Sequence, residues 1–159
     1  LHFKYDYVLI DTAPGLHDYV LHLNSVAEEC VVLITQDPSS IADAYALIKV
    51  MNLKYKMNKF SVVCNLISED TGEQLFDRFS QVVENFLNIR LRYLGAVPED
   101  AVLRKSQRLQ RLVMRQNVHS ISQGIISDIG NKLAVESYTK DKNESDGLGA
   151  LFFPVSSHA

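Results

Sequence analysis

The chain has 159 residues, 47% of them hydrophobic, and a formal net charge of −3. This hydrophobic content suffices to bury the core of one domain, which excludes a chain that is disordered throughout. The small net charge, with 16 basic and 19 acidic residues, excludes a protein that coats nucleic acid through bulk positive charge.

The cysteines and the lack of targeting signals favour a cytoplasmic location. Cys30 and Cys64 lie inside apolar, strand-like runs, so we interpret them as buried thiols rather than a disulfide framework. No basic leader followed by an apolar block opens the chain, and no apolar run approaches the roughly 20 residues that span a bilayer. The sequence begins at Leu1, without Met and shortly before a strand-like run, so we expect it to be part of a longer protein.

Four short apolar runs alternate with longer segments of helical spacing. The predicted strands are Tyr7 to Ile10, Cys30 to Thr35, Phe60 to Asn65 and Arg92 to Val97. Each is nearly continuously apolar, as in strands that are buried on both faces of a parallel sheet. The alternation of strands and helices predicts an α/β fold: an open, mainly parallel sheet with helices on both faces.

Capping patterns and apolar spacing place the helices. Ser40 with Asp43, and Thr71 with Gln74, have the spacing of capping boxes at helix starts. Apolar residues at helical spacing predict a final helix after the last strand; they are Val118, Ile121, Ile125, Ile129 and Leu133.

The composition turns polar and charged at position 137. We therefore predict that residues 1–136 form the domain and that residues 137–159 form a disordered tail.

The predicted strand ends carry the chemistry, because ligands of open parallel sheets bind beyond the carboxyl ends of the strands. Asp11 follows the first predicted strand, and Pro14 and Gly15 then permit a loop that approaches a ligand closely. In phosphoryl-transfer sites a carboxylate at such a position holds Mg²⁺, usually through water. The alternative is that Asp11 only caps a turn.

The third and fourth predicted strands end in residues that suit a purine base. The side-chain amide of Asn65 offers a donor and an acceptor to the edge of adenine, although an Asn that closes a turn is commoner. Backbone groups ahead of Pro98 are free to pair with a base while the proline ring packs on it; a helix start with Pro near its first position is the ordinary alternative. The second predicted strand also runs into polar residues, at positions 35–40. Polar signals at four successive strand ends favour one nucleotide site over separate explanations.

These residues resemble the deviant-Walker ATPases of the MinD/ParA type. The run DTAPG at 11–15 is similar to the family's switch II segment, and 35–49 resembles most closely the flagellar number regulators FlhG, also called FleN. Asn65 and the Pro-Glu-Asp run at 98–100 fall where the family keeps its adenine-pocket Asn and its Val/Ile-Pro-Glu/Asp element. The resemblance covers residues 5 to about 115.

The resemblance implies ATP and Mg²⁺ as cofactors and a role for particular residues. Asp11 holds the Mg²⁺ shell through water, and Gly15 lies in the loop that senses the γ-phosphate. Asn65 reads the adenine, while Pro98 and Glu99 belong to its pocket.

The resemblance also implies partners. An ATP-bound homodimer is expected, with Asp43 facing the dimer partner or a protein regulator of flagellar assembly, and no sequence-specific nucleic acid is expected. Relatives associate peripherally with the inner face of the cell membrane through a C-terminal amphipathic helix. Residues 148–153 are a short version of such an anchor and contain no basic residue.

The phosphate-binding loop of the family, Lys-Gly-Gly-x-Gly-Lys-Thr/Ser, does not occur in these 159 residues. None of the seven glycines stands in a Gly-x-x-x-x-Gly-Lys arrangement. We interpret the chain as the C-terminal portion of such an ATPase, truncated before this loop; a natural relic that keeps the fold is the alternative. In either case we expect this chain alone to hydrolyse ATP negligibly.

The leading hypothesis for function is an ATP-dependent dimerisation switch that regulates the number or placement of flagella. One alternative is a non-catalytic receiver-like or relic binding module, although a receiver needs a cluster of acids at its first strand and a Lys at its last. Another is a MinD/ParA-type ATPase that serves partition, division-site placement or metal-centre assembly. The run from Asp43 to Lys49 favours the flagellar branch.

Overall fold

The computed structural model describes residues 7–109 and 120–140. In chain order the elements are α1 (Asp18–Ser25), β1 (Cys30–Ile34), α2 (Pro38–Tyr55), β2 (Phe60–Asn65), α3 (Glu69–Leu87), β3 (Leu91–Val97), α4 (Ala101–Arg108) and α5 (Ile121–Lys140). The three strands pair in parallel in the order β1-β2-β3. This arrangement confirms the predicted α/β fold with an open parallel sheet.

Helices cover both faces of the sheet, as predicted. On one face, α2 and α3 pack on the strands around fully buried side chains such as Ile48, Val62 and Val83. On the other face, α5 lays Ile125, Ile129 and Leu133 against Val63, Leu94 and Val97. Burial of these apolar side chains is the main favourable contribution to the fold.

Helix α3 approaches the sheet most closely at Gly72. A Cβ atom at this position would stand 2.6 Å from the Cβ of Ala96 and 3.3 Å from that of Cys64. The Cys64 thiol donates a hydrogen bond to the Gly72 carbonyl oxygen, with 3.3 Å between sulfur and oxygen. Only glycine permits this contact, which brings α3 against β2 and β3 near their carboxyl ends.

The prediction of a strand from Tyr7 to Ile10 is wrong, because these residues have no regular secondary structure. Tyr7 and Leu9 are 50% and 62% exposed, and the Tyr7 hydroxyl donates to the carbonyl oxygen of Ala134 on α5 at 3.1 Å. A strand requires a neighbouring strand for its ladder of hydrogen bonds, and the described part of the sheet pairs only β1, β2 and β3.

Strand β1 is buried on one face only, whereas the sequence predicted burial on both. Its even-numbered residues are buried, but Val31 is 36% and Leu33 is 60% exposed. Helix α5 packs against β3 and Val63 of β2 and leaves this outer face of β1 uncovered.

Helices α2 and α3 each begin three residues before the predicted start. Helix α2 starts at Pro38, whose fixed φ suits the first helical position, while the Ser40 hydroxyl accepts a hydrogen bond from the Thr35 backbone N–H at 3.1 Å. Helix α3 starts at Glu69, an acidic residue that the helix dipole favours in the first turn.

Helix α5 confirms the predicted final helix but differs from its predicted apolar face. Ile121 is 76% exposed at the helix start, and Val118 lies outside the described residues. The helix continues through Lys140, four residues beyond the domain end predicted at 136, and the rest of the predicted tail lies outside the described residues. No helix in the described part of the chain combines the length and apolar character that crossing a bilayer requires.

Both cysteines are free and buried, as predicted. Burial raises the pKa of Cys30 to about 11, and the nearby Glu29 carboxylate adds to the shift. Burial followed by the Glu69 carboxylate raises the pKa of Cys64 to about 11. Both side chains are therefore neutral thiols at physiological pH and poor nucleophiles.

Candidate functional site

The carboxyl ends of β2 and β3 lie side by side. The register pairs Asn65 with Val97, so Asn65 and Pro98 occupy neighbouring positions at one edge of the sheet, and both are partly buried. The Ile67 backbone N–H donates to the Val97 carbonyl oxygen at 3.2 Å, which joins the two strand ends just beyond the ladder. An amide side chain beside a proline ring offers paired hydrogen-bonding groups and an apolar surface, the two features that hold a flat heterocycle.

Asp100 caps two helices at once. Its Oδ1 accepts hydrogen bonds from the backbone N–H groups of Val102, at 2.7 Å, and Leu103, at 3.3 Å, in the first turn of α4. Its Oδ2 accepts from the hydroxyl of Ser120 at 2.6 Å and from the backbone N–H of Ser122 at 3.2 Å, at the start of α5. One carboxylate therefore satisfies donors at the N-termini of both helices.

These donors lower the pKa of Asp100 well below its ordinary value of 3.8. The hydrogen bond from the Ser120 hydroxyl contributes most, and the backbone N–H groups of Ser122, Val102 and Leu103 add to it. Asp100 is therefore ionised across the physiological pH range, and its charge lies where two helix dipoles favour an anion.

Glu69 forms a further hydrogen bond close to the carboxyl end of β3. Its Oε2 accepts a hydrogen bond from the Ala96 backbone N–H at 2.9 Å, which joins the first turn of α3 to β3. Together with Asp100, this contact holds β3 immediately before and after the turn that contains Pro98.

Glu99 lies between this rigid edge and solvent. Its carboxylate forms an ion pair with Arg104, and both side chains are more than half exposed. The two residues line a cavity of about 610 Å³ along α4 together with Ala101, Lys105 and Arg108. A surface ion pair of this kind contributes about 0–1 kcal/mol to stability.

Asp11 and Gly15 lie on the segment that precedes α1, and both are exposed. Gly15 has a φ of +107°, which L side chains rarely adopt. Among residues 7–109 and 120–140, no group of three or more His, Cys, Asp or Glu side chains stands close enough to hold a metal ion. A magnesium role for Asp11 therefore stays a prediction that rests on one carboxylate and water.

Asp43 is exposed on α2, whereas Ala44 and Ile48 of the same helix are buried. Helices α2 and α3 enclose an apolar groove of about 560 Å³, and Asp43 is not among the residues that line it. Its lining residues are Gln36, Pro38, Ile41, Ala42, Tyr45, Leu75, Arg78, Phe79 and Val82. The sequence predicted an accessible Asp43 but gave no sign of the groove.

The structure brings together the predicted adenine-side residues Asn65 and Pro98, with Glu99 next along the chain. Asp11 does not follow a strand as predicted, because the segment before it is not in the sheet. The roles of these residues, and of Gly15, remain predictions.

Sequence reasoning missed the contacts of Asp100, Ser120 and Glu69. A signal was available for the first two, because Asp and Ser are preferred residues at helix N-caps. Nothing in the spacing indicated that the two caps share one carboxylate, since Asp100 and Ser120 are 20 residues apart.

Comparison with known proteins gives two related sequences. Antiactivator FleN of Pseudomonas aeruginosa is 38% identical over 109 residues, which are 68% of this chain and 39% of FleN. The flagellum site-determining protein YlxH of Helicobacter pylori is 34% identical over 114 residues, which are 70% of this chain and 37% of that protein. The chain thus spans about two fifths of the length of the curated relatives that it matches. No protein-family profile matches it.

The MinD cell division protein of Aquifex aeolicus has a similar structure, with a TM-score of 0.61. The superposition covers 91% of this chain and 56% of the MinD chain, at 21% sequence identity. At 21% sequence identity, this structural similarity shows that the two proteins share a fold, and it shows nothing about function.

Proposed function

The chain belongs to the MinD/ParA-type proteins as a partial-length homologue of FleN and YlxH, and from this premise we propose that its complete protein is an ATP-dependent dimerisation switch. The switch regulates the number or placement of flagella. In this proposal two subunits associate when ATP is bound and separate after hydrolysis, so that the nucleotide state controls partner binding.

The register of β2 and β3 is the observation that supports this proposal most. It pairs Asn65 with Val97, so that Asn65 and Pro98 occupy neighbouring positions at the carboxyl edge of a parallel sheet, where ligands of such sheets bind. The partly buried amide and the proline suit the edge and the face of an adenine ring, so the residues present fit the base of ATP. Glu99 follows Pro98 along the chain and is exposed.

Asp11 and Gly15 serve the phosphate end of the nucleotide in this proposal. When bound, Mg²⁺ and ATP supply the transferable phosphoryl group and the positive charge that offsets its oxygens. Asp11 accepts hydrogen bonds from water in the Mg²⁺ shell, and the positive φ of Gly15 gives the loop a backbone that approaches the phosphates.

The chain alone is inactive in this proposal, because its 159 residues contain no Gly-x-x-x-x-Gly-Lys loop to bind the phosphates. The reading frame upstream of Leu1 provides a direct check. A phosphate-binding loop encoded there supports a truncated ATPase, whereas a stop codon close to Leu1 supports a relic without ATPase activity.

The proposed partners are a second subunit and a regulator of flagellar assembly, with Asp43 on the surface that faces one of them. Peripheral attachment to the inner face of the cell membrane is part of the proposal. Sedimentation of the full-length protein with anionic lipid vesicles, with and without residues 148–159, tests that attachment. Equal sedimentation of the two proteins would remove these residues as the anchor.

The principal experiment measures the molar mass of the full-length protein in solution with ATP and with ADP. We expect a dimer with ATP and a monomer with ADP, and we expect cells that lack the gene to show altered flagellar number or position. An equal mass with both nucleotides would contradict the dimerisation switch. Unchanged flagella would contradict the cellular role.

A further inference from the structure

Helix α5 is held against β3 by contacts that do not involve Asp100. The Lys132 ammonium donates to the Leu94 carbonyl oxygen at 2.6 Å, and Arg92 Nη2 donates to the Lys132 carbonyl oxygen at 2.8 Å. The apolar side chains of α5 also pack on β2 and β3. A group that is hydrogen-bonded to the start of α5 is therefore held relative to the sheet.

Pro98 lies between two residues, Val97 and Asp100, whose hydrogen bonds hold the backbone in place. On one side the Val97 carbonyl oxygen accepts from Ile67, just beyond the strand that ends at Asn65. On the other side Asp100 is bound to the starts of α4 and α5. Pro98 directly follows Val97 and lies two residues before Asp100. Because consecutive Cα atoms are about 3.8 Å apart, attachments this close on both sides leave the backbone of Pro98 little freedom.

From this geometry we propose that Asp100 is a positioning residue for the base of the bound nucleotide. By joining the turn after β3 to the start of α5, its carboxylate holds Pro98 at a set distance from Asn65 and so sets the affinity for adenine. This inference rests on the proposed function, and it assigns Asp100 no contact with ATP.

The chemistry of the carboxylate explains why aspartate suits this position. Two oxygens accept four hydrogen bonds, two from each helix. In Asp100→Asn one oxygen is replaced by an NH₂ group, which cannot accept a hydrogen bond from Ser122. In Asp100→Ser the hydroxyl remains a good cap for α4, but one short side chain cannot also reach Ser120 and Ser122.

The test compares ATP with GTP in the full-length protein, because the two ligands share the triphosphate and differ in the base. Binding is measured by calorimetry for wild type, Asp100→Asn, Asp100→Ser and Ser120→Ala. The matched control is Asp70→Asn, which alters an exposed acid in the first turn of another helix, α3. Circular dichroism confirms that each variant is folded.

We expect wild type to prefer ATP and both Asp100 variants to bind ATP about tenfold more weakly, which is the effect of losing a charge-assisted hydrogen bond. Their affinity for GTP should stay within about twofold of wild type, because the triphosphate contacts are unchanged. Ser120→Ala removes one donor and should weaken ATP binding about threefold. Asp70→Asn should leave both affinities unchanged.

Different failures have different meanings. If wild type binds neither ATP nor GTP, the proposed function is wrong and this inference falls with it. If wild type binds ATP and GTP equally, the base is not recognised and this inference is overturned, while the dimerisation switch is still tested by molar mass. If wild type prefers ATP and the folded Asp100 variants keep that preference, only the positioning role is overturned. An equal loss of ATP and GTP affinity also overturns it, because it indicates a general structural effect. Should the Asp100 variants not fold, an unaltered ATP preference in Ser120→Ala overturns it.

Discussion

The two edge strands of the described sheet, β3 and β1, differ in how they are covered. Strand β3 lies between α3, which reaches it at Gly72, and α5, whose Lys132 donates to the Leu94 carbonyl oxygen. Strand β1 has helix α2 on one face, while Val31 and Leu33 on its other face are exposed. Burial and polar contacts thus make the β3 side rigid and leave the β1 side incomplete within the described residues.

The same difference divides the predicted nucleotide site. Asn65 and Pro98 lie at the rigid strand ends, where backbone hydrogen bonds fix them. Asp11 and Gly15 lie on an exposed segment outside the sheet. We therefore expect recognition of the base to depend on residues that this chain already positions, and chemistry at the phosphates to depend on the rest of the complete protein.

The largest expected effect is that of a substitution in the exposed segment that contains Asp11 and Gly15. In the full-length protein, Asp11→Ala should lower ATP turnover by roughly a hundredfold or more, because it removes a charge that stabilises the transferring group. Steady-state ATPase assays measure it. The control is Asp18→Ala, which removes a carboxylate that is 96% exposed and 3.7 Å from Lys54 Nζ, and which should leave turnover unchanged. Undiminished turnover in Asp11→Ala would remove Asp11 from the mechanism.

Shortening a side chain to alanine should lower the free energy of unfolding more on the buried face of β1 than on its exposed face. Ile34 is fully buried, so Ile34→Ala should lower the free energy of unfolding by about 2–5 kcal/mol. Its neighbour Leu33 is 60% exposed, so Leu33→Ala should change that free energy by no more than about 0.5 kcal/mol. Urea unfolding of the full-length protein measures both. Comparable losses would show that the outer face of β1 is covered in the complete protein.

A substitution at Gly72 tests how closely α3 packs on β2 and β3. Alanine improves helix propensity by about 1 kcal/mol, but its Cβ would stand 2.6 Å from Ala96 and force α3 away at a cost of about 1–3 kcal/mol. We expect Gly72→Ala to be destabilising in urea unfolding. Gly130→Ala is the matched control, because nothing lies within 4 Å of its Cβ and it should be neutral or stabilising. Stabilisation by Gly72→Ala would contradict the close approach of α3.

The smallest expected effect is that of the Asp100 charge on how stability depends on pH. Its hydrogen bonds lower its pKa in the folded protein below the ordinary value of 3.8. A lowered pKa contributes stability that is fully present above the unfolded value and is lost as the pH falls through the folded value. Wild type should therefore be more stable than Asp100→Asn at neutral pH, and the gap should narrow below a pH of about 4. A gap independent of pH would show that the charge of Asp100 is not involved.

All three strands of the described sheet were predictable from the sequence. The predicted runs 30–35, 60–65 and 92–97 agree to within one residue at each end with the strands Cys30–Ile34, Phe60–Asn65 and Leu91–Val97. Continuous apolar runs of this length favour strands, because such side chains suit a sheet that is covered on its faces. They also placed Asn65 and Pro98 at one edge, since the carboxyl ends of parallel strands share an edge.

The failures have a common physical cause, which is that partners distant in sequence decide them. The run from Tyr7 to Ile10 has the composition of a strand, but a strand forms only beside another strand. Leu33 is exposed because no described helix covers the outer face of β1. The shared capping by Asp100 depends on Ser120, 20 residues later, and no local pattern reports such a contact.

Photolabelling of the full-length protein with 8-azidoadenosine triphosphate tests the central claim most directly, because the probe reacts where the base is bound. Mass spectrometry of the labelled peptides then locates the base. We expect label on the peptides that contain Asn65 or Pro98, and we expect excess ATP to suppress it. ATP-suppressible label that falls only on other peptides would contradict the assignment of the adenine site to the ends of β2 and β3.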